Sequence, residues 1–248
     1  MYLLHDLHDF IGPSFGAPGA APCERPLAAP TCLRDIAGMF AALLDIVAPP
    51  QCAGCGTNGA TLCSACADEI SQSEPVVLRG TGDLATIRAA GRYRGVLRNV
   101  ILAFKYGNRK CFATPLATIL ARHLFTGGEI VVPVPLHRAR ERTRGYNQAF
   151  LLARELVNRL RTGELRVVRH ALQRIRATGM QSKLSACERE NNVVGAFSPG
   201  PDAGSVAGRS VLLVDDVVTT GATLRACAAT LRRAGARQID AACVAMKL

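Results

Sequence analysis

Apolar residues recur at three- and four-residue spacing over Leu33, Ile36, Met39, Phe40, Leu43, Leu44 and Val47. That period predicts one amphipathic helix, closed by Pro49-Pro50. From residue 84 the pattern changes. Residues 84–93 read as a strand or hairpin arm, 95–107 as a helix running into a glycine turn, and 111–124 as a second helix. The short apolar run 129–136, broken by prolines, predicts a strand ending in a tight loop. Residues 145–160 carry a strong helical period, and 165–172 begin as a strand. Residues 208–216 predict a buried strand, 222–235 a helix with Gly235 at its end, and 237–248 a last strand. Strands alternating with helices predict the α/β class, with a mostly parallel sheet flanked by helices.

Between these runs lie polar stretches. Residues 1–35 are rich in Pro, Ala and Gly without a clean period, which predicts a disordered or loosely packed extension. Residues 68–83 read as a polar linker, and 172–197 as charged and irregular. Three parts follow: 1–35; 36–83 with the amphipathic helix, a cysteine-rich ribbon and a linker; and the main domain, 84–248.

Composition sharpens this outline. With 248 residues, 49% of them hydrophobic, the chain can build a sizeable core. No apolar run has the roughly 18 to 20 residues that span a bilayer, and no Lys or Arg precedes Arg25, so a secretory signal is not expected. A cytoplasmic, soluble protein is the expectation. The net charge is +11, concentrated in the middle of the chain, which points to phosphate-rich partners.

Ten cysteines in a reducing compartment argue for thiols rather than disulfides. Four of them, Cys52, Cys55, Cys63 and Cys66, form two C-x2-C pairs seven residues apart. Two such knuckles complete a tetrahedral four-thiolate site, for which Zn²⁺ fits by ligand type. All four positions are filled by protein, so the expected role is structural. A redox dithiol is the weaker alternative, because one pair would suffice for it.

The stretch VLLVDDVVTTGATL, residues 211–224, sets two carboxylates beside a loop suited to an anion. A strand, a Thr-Gly turn and a helix N-terminus make a phosphate seat from unsatisfied N–H groups and the helix dipole. Thr219, Thr220 and Thr223 add hydroxyls, and Gly221 lets the backbone approach closely. Asp215 and Asp216 can accept hydrogen bonds from sugar hydroxyls and favour a bridging Mg²⁺. A sugar phosphate satisfies both halves.

This stretch resembles the phosphoribosyl-pyrophosphate (PRPP) motif of type I phosphoribosyltransferases. The resemblance implies that Asp215 and Asp216 are the catalytic pair on the ribose hydroxyls, and that Thr219, Thr220, Gly221, Ala222 and Thr223 hold the 5′-phosphate. Together with residues 43–56, 103–110, 132–156 and 176–197, it resembles the ComF family, a competence-associated, double-zinc-ribbon, phosphoribosyltransferase-like family, over roughly residues 36–248. The main domain, 84–248, is then phosphoribosyltransferase-like.

In such enzymes a loop after an early strand holds the pyrophosphate with Mg²⁺. Here that implies Pro135, Leu136, His137 and Arg138. Arg138, Arg140, Arg142 and Arg144 alternate, so an extended segment would present all four on one face. For His137 a capping role stands beside a catalytic one. Lys105 is a further phosphate contact. Residues 174–192, with Gln181, Lys183 and Arg189, resemble a hood that closes over the site. His137, Arg138, Arg140, Arg144, Lys105, Lys183 and Arg189 are candidates for binding either pyrophosphate or nucleic acid.

Two functions follow from the resemblance. One is a PRPP-binding protein of DNA uptake and natural transformation that handles single-stranded DNA. Its partners would be uptake machinery, including a helicase, at the inner face of the cytoplasmic membrane. The other is an active phosphoribosyltransferase that displaces Mg-pyrophosphate toward an unidentified acceptor. Aromatics are only 5%, which leaves Tyr93, Tyr106 and Tyr146 for base stacking.

Overall fold

The computed structural model describes residues 49–123, 129–160, 165–176 and 193–247. The expected extension 1–35, the amphipathic helix before Pro49, and Gln181, Lys183 and Arg189 lie outside the described residues. Among the described residues no helix is long and apolar enough to cross a membrane.

The chain runs α1 (Ser64–Ser71), β1 (Val76–Arg79), β2 (Thr86–Arg92), α2 (Gly95–Tyr106), α3 (Ala113–Arg122), β3 (Ile130–Pro133), α4 (Arg138–Arg144) and α5 (Gln148–Leu160). It continues through β4 (Arg166–Val167), β5 (Leu172–Arg174), β6 (Phe197–Pro199), β7 (Ser210–Val218), α6 (Ala222–Arg233) and β8 (Gln238–Met246). One six-stranded sheet has the order β1-β2-β8-β7-β3-β4, and β5 and β6 form a separate antiparallel pair. All neighbours in the large sheet are parallel except β1, which pairs antiparallel with β2 from Val76↔Ala89 to Arg79↔Thr86.

The apolar run Val211–Val214 is buried throughout, as expected of a central strand covered on both faces. One face carries Val211 and Leu213 and packs against Leu224, Ala228 and Leu231 of α6. The other carries Leu212 and Val214 and packs against α2, α3 and α5, through Phe104, Leu116 and Leu152 among others. The three layers bring the carboxyl ends of β3, β7, β8 and β2 to one edge.

Three local readings differ from the sequence expectation. Residues 138–144 are a helix, not extended, so the four arginines point in several directions. Helix α1 and strand β1 occupy much of the stretch read as a linker; β1 shows no alternation of burial because it lies at a sheet edge. Residues 172–174 and Phe197, at the two ends of the stretch read as irregular, belong to strands β5 and β6, which pair from Leu172↔Pro199 to Arg174↔Phe197.

Candidate functional site

Strands β3 and β7 are neighbours, and the chain leaves them in opposite directions. From β3 it passes through α4 and α5 to β4 at the sheet edge; from β7 it passes through α6 to β8 on the other side. A crevice opens where such crossovers diverge, outside the carboxyl ends of the strands. The β7–α6 turn and the β3–α4 turn line it.

In the β7–α6 turn Gly221 has φ of 77° and immediately precedes α6. A side chain there would be strained, and a Cβ would lie 3.1 Å from the Arg225 guanidinium. Arg225 Nη1 donates to the Thr220 carbonyl at 2.8 Å, and the Ala222 N–H donates to Thr220 Oγ1 at 3.4 Å. The turn is thus braced by its own residues, with the amino end of α6 behind it. Arg225 is one functional candidate that the sequence reading did not single out.

Strand alternation sends Asp215 and Asp216 to opposite faces of β7. Asp216 shares the face of Leu212 and Val214, where Lys105 Nζ from the last turn of α2 meets its Oδ1 at 2.7 Å. The two side chains are only 15% and 11% exposed. Burial penalises the Lys105 ammonium, but the Asp216 charge outweighs it and holds the lysine above its ordinary pKa. Asp215 accepts the Asp216 N–H at 2.8 Å. Burial, then the neighbouring Asp216 charge, pushes its carboxyl up to about 7, against the opposing pull of Lys105 and Arg174.

The cations here crowd one another. Burial and then the nearby Arg144 hold Arg140 below its ordinary value; burial and then Arg140 do the same for Arg174. Arg174 comes from β5, inside the segment read as irregular, and no sequence period marked it. Like charges gathered in partly buried positions are the electrostatic condition of an anion site.

A cleft of about 1140 Å³ opens on the α2 side. Arg98, Lys105, Arg140, Arg142, Arg144 and Lys247 line it together with Tyr93, Tyr106 and Thr219, and among the described residues no carboxylate does. A second cavity, of about 500 Å³, lies between the β3–α4 turn and β5, and includes Pro135, Leu136, His137, Arg138, Asn147 and Arg174. The structure therefore divides the basic candidates: Lys105, Arg140 and Arg144 on one cleft, His137 and Arg138 on the other. His137 caps α4, its Nδ1 accepting the Ala139 N–H at 3.3 Å. Asn147 caps α5: its Oδ1 accepts the Ala149 and Phe150 N–H groups, and its Nδ2 donates to the Val134 carbonyl.

The four clustered cysteines converge as their spacing predicts. Their sulfurs all lie within 4.8 Å of one another, with Cys52–Cys63 and Cys55–Cys63 both at 3.7 Å, so they are placed to hold a metal ion. Burial opposes ionisation of Cys52, but N–H donors from Cys63, Cys55 and Gly54 bring it down to about 6. Gly54 is obligatory, since a Cβ would lie 2.6 Å from Cys66 Sγ and 2.8 Å from Val96 Cγ1. Asn99 Nδ2 of α2 donates to the Gly54 carbonyl at 2.9 Å and ties the cluster to the helix that carries Lys105.

Comparison with known proteins places the chain in a family. The family described as phosphoribosyl transferase domain matches residues 146–248. Competence protein F of Haemophilus influenzae is 32% identical over 199 residues, 77% of this chain and 82% of that protein. The DNA utilization protein YhgH of Escherichia coli O6:H1 is 32% identical over 216 residues, 84% of this chain and 88% of that protein. Among solved structures, the glutamine PRPP amidotransferase of Bacillus subtilis, complexed with ADP and GMP, aligns with 58% of this chain and 30% of its own at 21% identity, with a TM-score of 0.38. The domain is phosphoribosyltransferase-like, and the matched segment covers β7 and the turn after it but not Lys105 or the β3–α4 turn.

Proposed function

Because the chain belongs to the family of competence protein F and the YhgH DNA utilization proteins, we propose that it is a PRPP-binding, phosphoribosyltransferase-like protein of DNA uptake that handles single-stranded DNA in the cytoplasm. The observation that carries the PRPP half is the left-handed Gly221 turn at the amino end of α6, beside Asp215 and within a cluster of cations at the sheet's carboxyl edge. In this reading residues Thr219 to Thr223 take the 5′-phosphate through N–H and hydroxyl donors. Asp215 accepts the ribose hydroxyls, while Asp216, on the opposite face of β7, holds Lys105 in place. Lys105, Arg140 and Arg144 face the pyrophosphate, His137 and Arg138 line the neighbouring cavity, and Mg²⁺ is the counter-ion the ligand brings.

The metal of the cysteine cluster is Zn²⁺ in this reading. Thiolates about 2.3 Å from a tetrahedral ion stand about 3.8 Å apart, close to the 3.7 Å separations of the sulfurs. With four thiolates and no open position, its role is to hold the N-terminal ribbon against α2.

Calorimetry with Mg-PRPP tests the site. The intact protein is expected to bind, and Asp215→Ala with Asp216→Ala is expected to abolish binding while the fold persists by circular dichroism. Unchanged binding by the double variant refutes the ribose contact, and no binding by the intact protein refutes the PRPP reading. Single-stranded DNA affinity that falls steeply with salt is expected for the second half of the proposal; no binding at low salt refutes it.

One observation favours an active transferase as a second reading. The cavity of about 500 Å³ beside Pro135, Leu136, Asn147, Leu172 and Arg174 offers room for an acceptor, which no segment of the sequence announces. Pyrophosphate released from PRPP on addition of an acceptor is the result that would establish it; a screen of bases and amines without release would leave the binding function alone.

A further inference from the structure

We infer that single-stranded nucleic acid lies in the cleft between α2 and α4, its phosphates on Arg98, Arg142 and Lys247 and its bases against Tyr106 and Tyr93. This rests on the proposed reading that the chain handles single-stranded DNA, and it assigns that ligand a seat. The cleft is the larger of the two cavities described, and among the described residues its lining is cationic without a carboxylate. The cations come from separate parts of the chain: Arg98 from α2, Arg142 from α4 and Lys247 from the residue after β8. A solvated helix face would intersperse acids, as Glu141 does on the far side of α4 in the second cavity. Positive charge assembled from three elements onto one concave wall suits an extended polyanion.

Aromatic placement separates a nucleic acid from an inorganic anion. Tyr106 is 68% exposed, unusual for a large ring at a helix end, and the Arg144 guanidinium lies 5.1 Å from its centroid. Arg98 lies 6.0 Å from the ring of Tyr93. Each tyrosine thus stands next to a cation on the cleft wall. An aromatic face beside a guanidinium serves a base and its phosphate together, and stacking of this kind tolerates any base. Tyr146, the third ring the sequence offered for stacking, is instead buried, its hydroxyl donating to the Phe104 carbonyl, so Tyr93 and Tyr106 carry this role alone.

Lys105 and Thr219 also line the cleft, and Lys105 is the partner of Asp216. A strand lying in the cleft would reach the sugar-phosphate turn.

Fluorescence anisotropy of a labelled oligothymidylate, taken over a salt series with the full chain, tests this placement. Arg98→Gln, Arg142→Gln and Lys247→Gln together are expected to weaken binding at least tenfold at low salt. They should also flatten the log–log salt dependence by about 2, because single strands contribute about 0.7 per phosphate contact. Tyr106→Ala is expected to weaken binding about tenfold with the salt slope unchanged, the mark of stacking rather than charge. Arg79→Gln, Arg159→Gln and Arg166→Gln remove the same charge from exposed positions off the cleft and serve as the control. Equal losses in the two triple variants would overturn the placement, and so would wild-type affinity in the first. Normal binding by Tyr106→Ala would overturn the stacking role. Absence of DNA binding by the intact protein would instead sink the DNA half of the proposed function, a different outcome from either.

Discussion

Replacing Lys105 with methionine keeps its packing and removes its charge, leaving the Asp216 carboxylate enclosed without a partner. At 2.7 Å and an effective dielectric near 20, the pair's Coulomb attraction is about 6 kcal/mol. Much of that is offset by the desolvation of two groups 15% and 11% exposed. The measurable loss is therefore the cost of stranding one buried charge, about 3–5 kcal/mol. For a chain of this size that lowers Tm by on the order of 10 °C. Asp216→Asn strands the lysine instead and is expected to lose a similar amount. The double variant should lose less than the sum of the two, with a coupling energy of about 2–3 kcal/mol in urea denaturation. Lys105 also draws the Asp215 pKa down, so Lys105→Met should move the Asp215 titration above about 7. Single losses that add to within about 0.5 kcal/mol would refute the coupling, and an unmoved Asp215 titration would refute the electrostatic link across β7.

Asp215 has a folded-state pKa raised from 3.8 to about 7, so the stability it contributes is present below pH 4 and is lost as pH rises through about 7. Asp215→Asn should abolish that decline in urea midpoints measured without divalent cations; a profile like that of the intact protein would contradict the raised pKa. Gly221→Ala places a Cβ at φ of 77° and is expected to lose about 1–2 kcal/mol of stability, with Mg-PRPP binding lost in calorimetry; an unaltered titration would argue against close backbone approach. Cys55→Ser should release one equivalent of metal by elemental analysis and lower Tm, and retention of the metal would rule out the four-thiolate site.

The sequence spoke most clearly where structure is local. The run Val211–Val214 had to be a central strand, and the turn after it could only be closed by a residue tolerant of positive φ. Cysteine spacing dictated the knuckles because each pair needs only a tight turn. What was illegible depends on long-range packing. Alternation along residues 138–144 reads as well for an extended segment as for a helix, and the helix is fixed by the His137 cap and by Gly145 at φ of 76°. Arg174 lies in a three-residue strand whose identity depends on pairing with Phe197, too short to give a period. Lys105 ends a helix whose charged tip looks like a solvated terminus until β7 supplies Asp216.

Two adjacent acids beside an anion seat conflict only if both charges face the ligand. Alternation along β7 separates them, and each face answers its own carboxylate. On the α2 side a lysine neutralises Asp216 directly. On the α6 side burial favours a proton on Asp215 near neutrality, with Arg174 close by. The negative charge is thereby held within the protein, while Arg140, Arg144 and the amino end of α6 make the potential around it positive, as the proposed phosphate site requires. The lysine comes from outside the segment matched by the phosphoribosyl transferase family, on the helix that Asn99 ties to the cysteine cluster. The cysteine cluster thus braces, through α2, the lysine that neutralises Asp216.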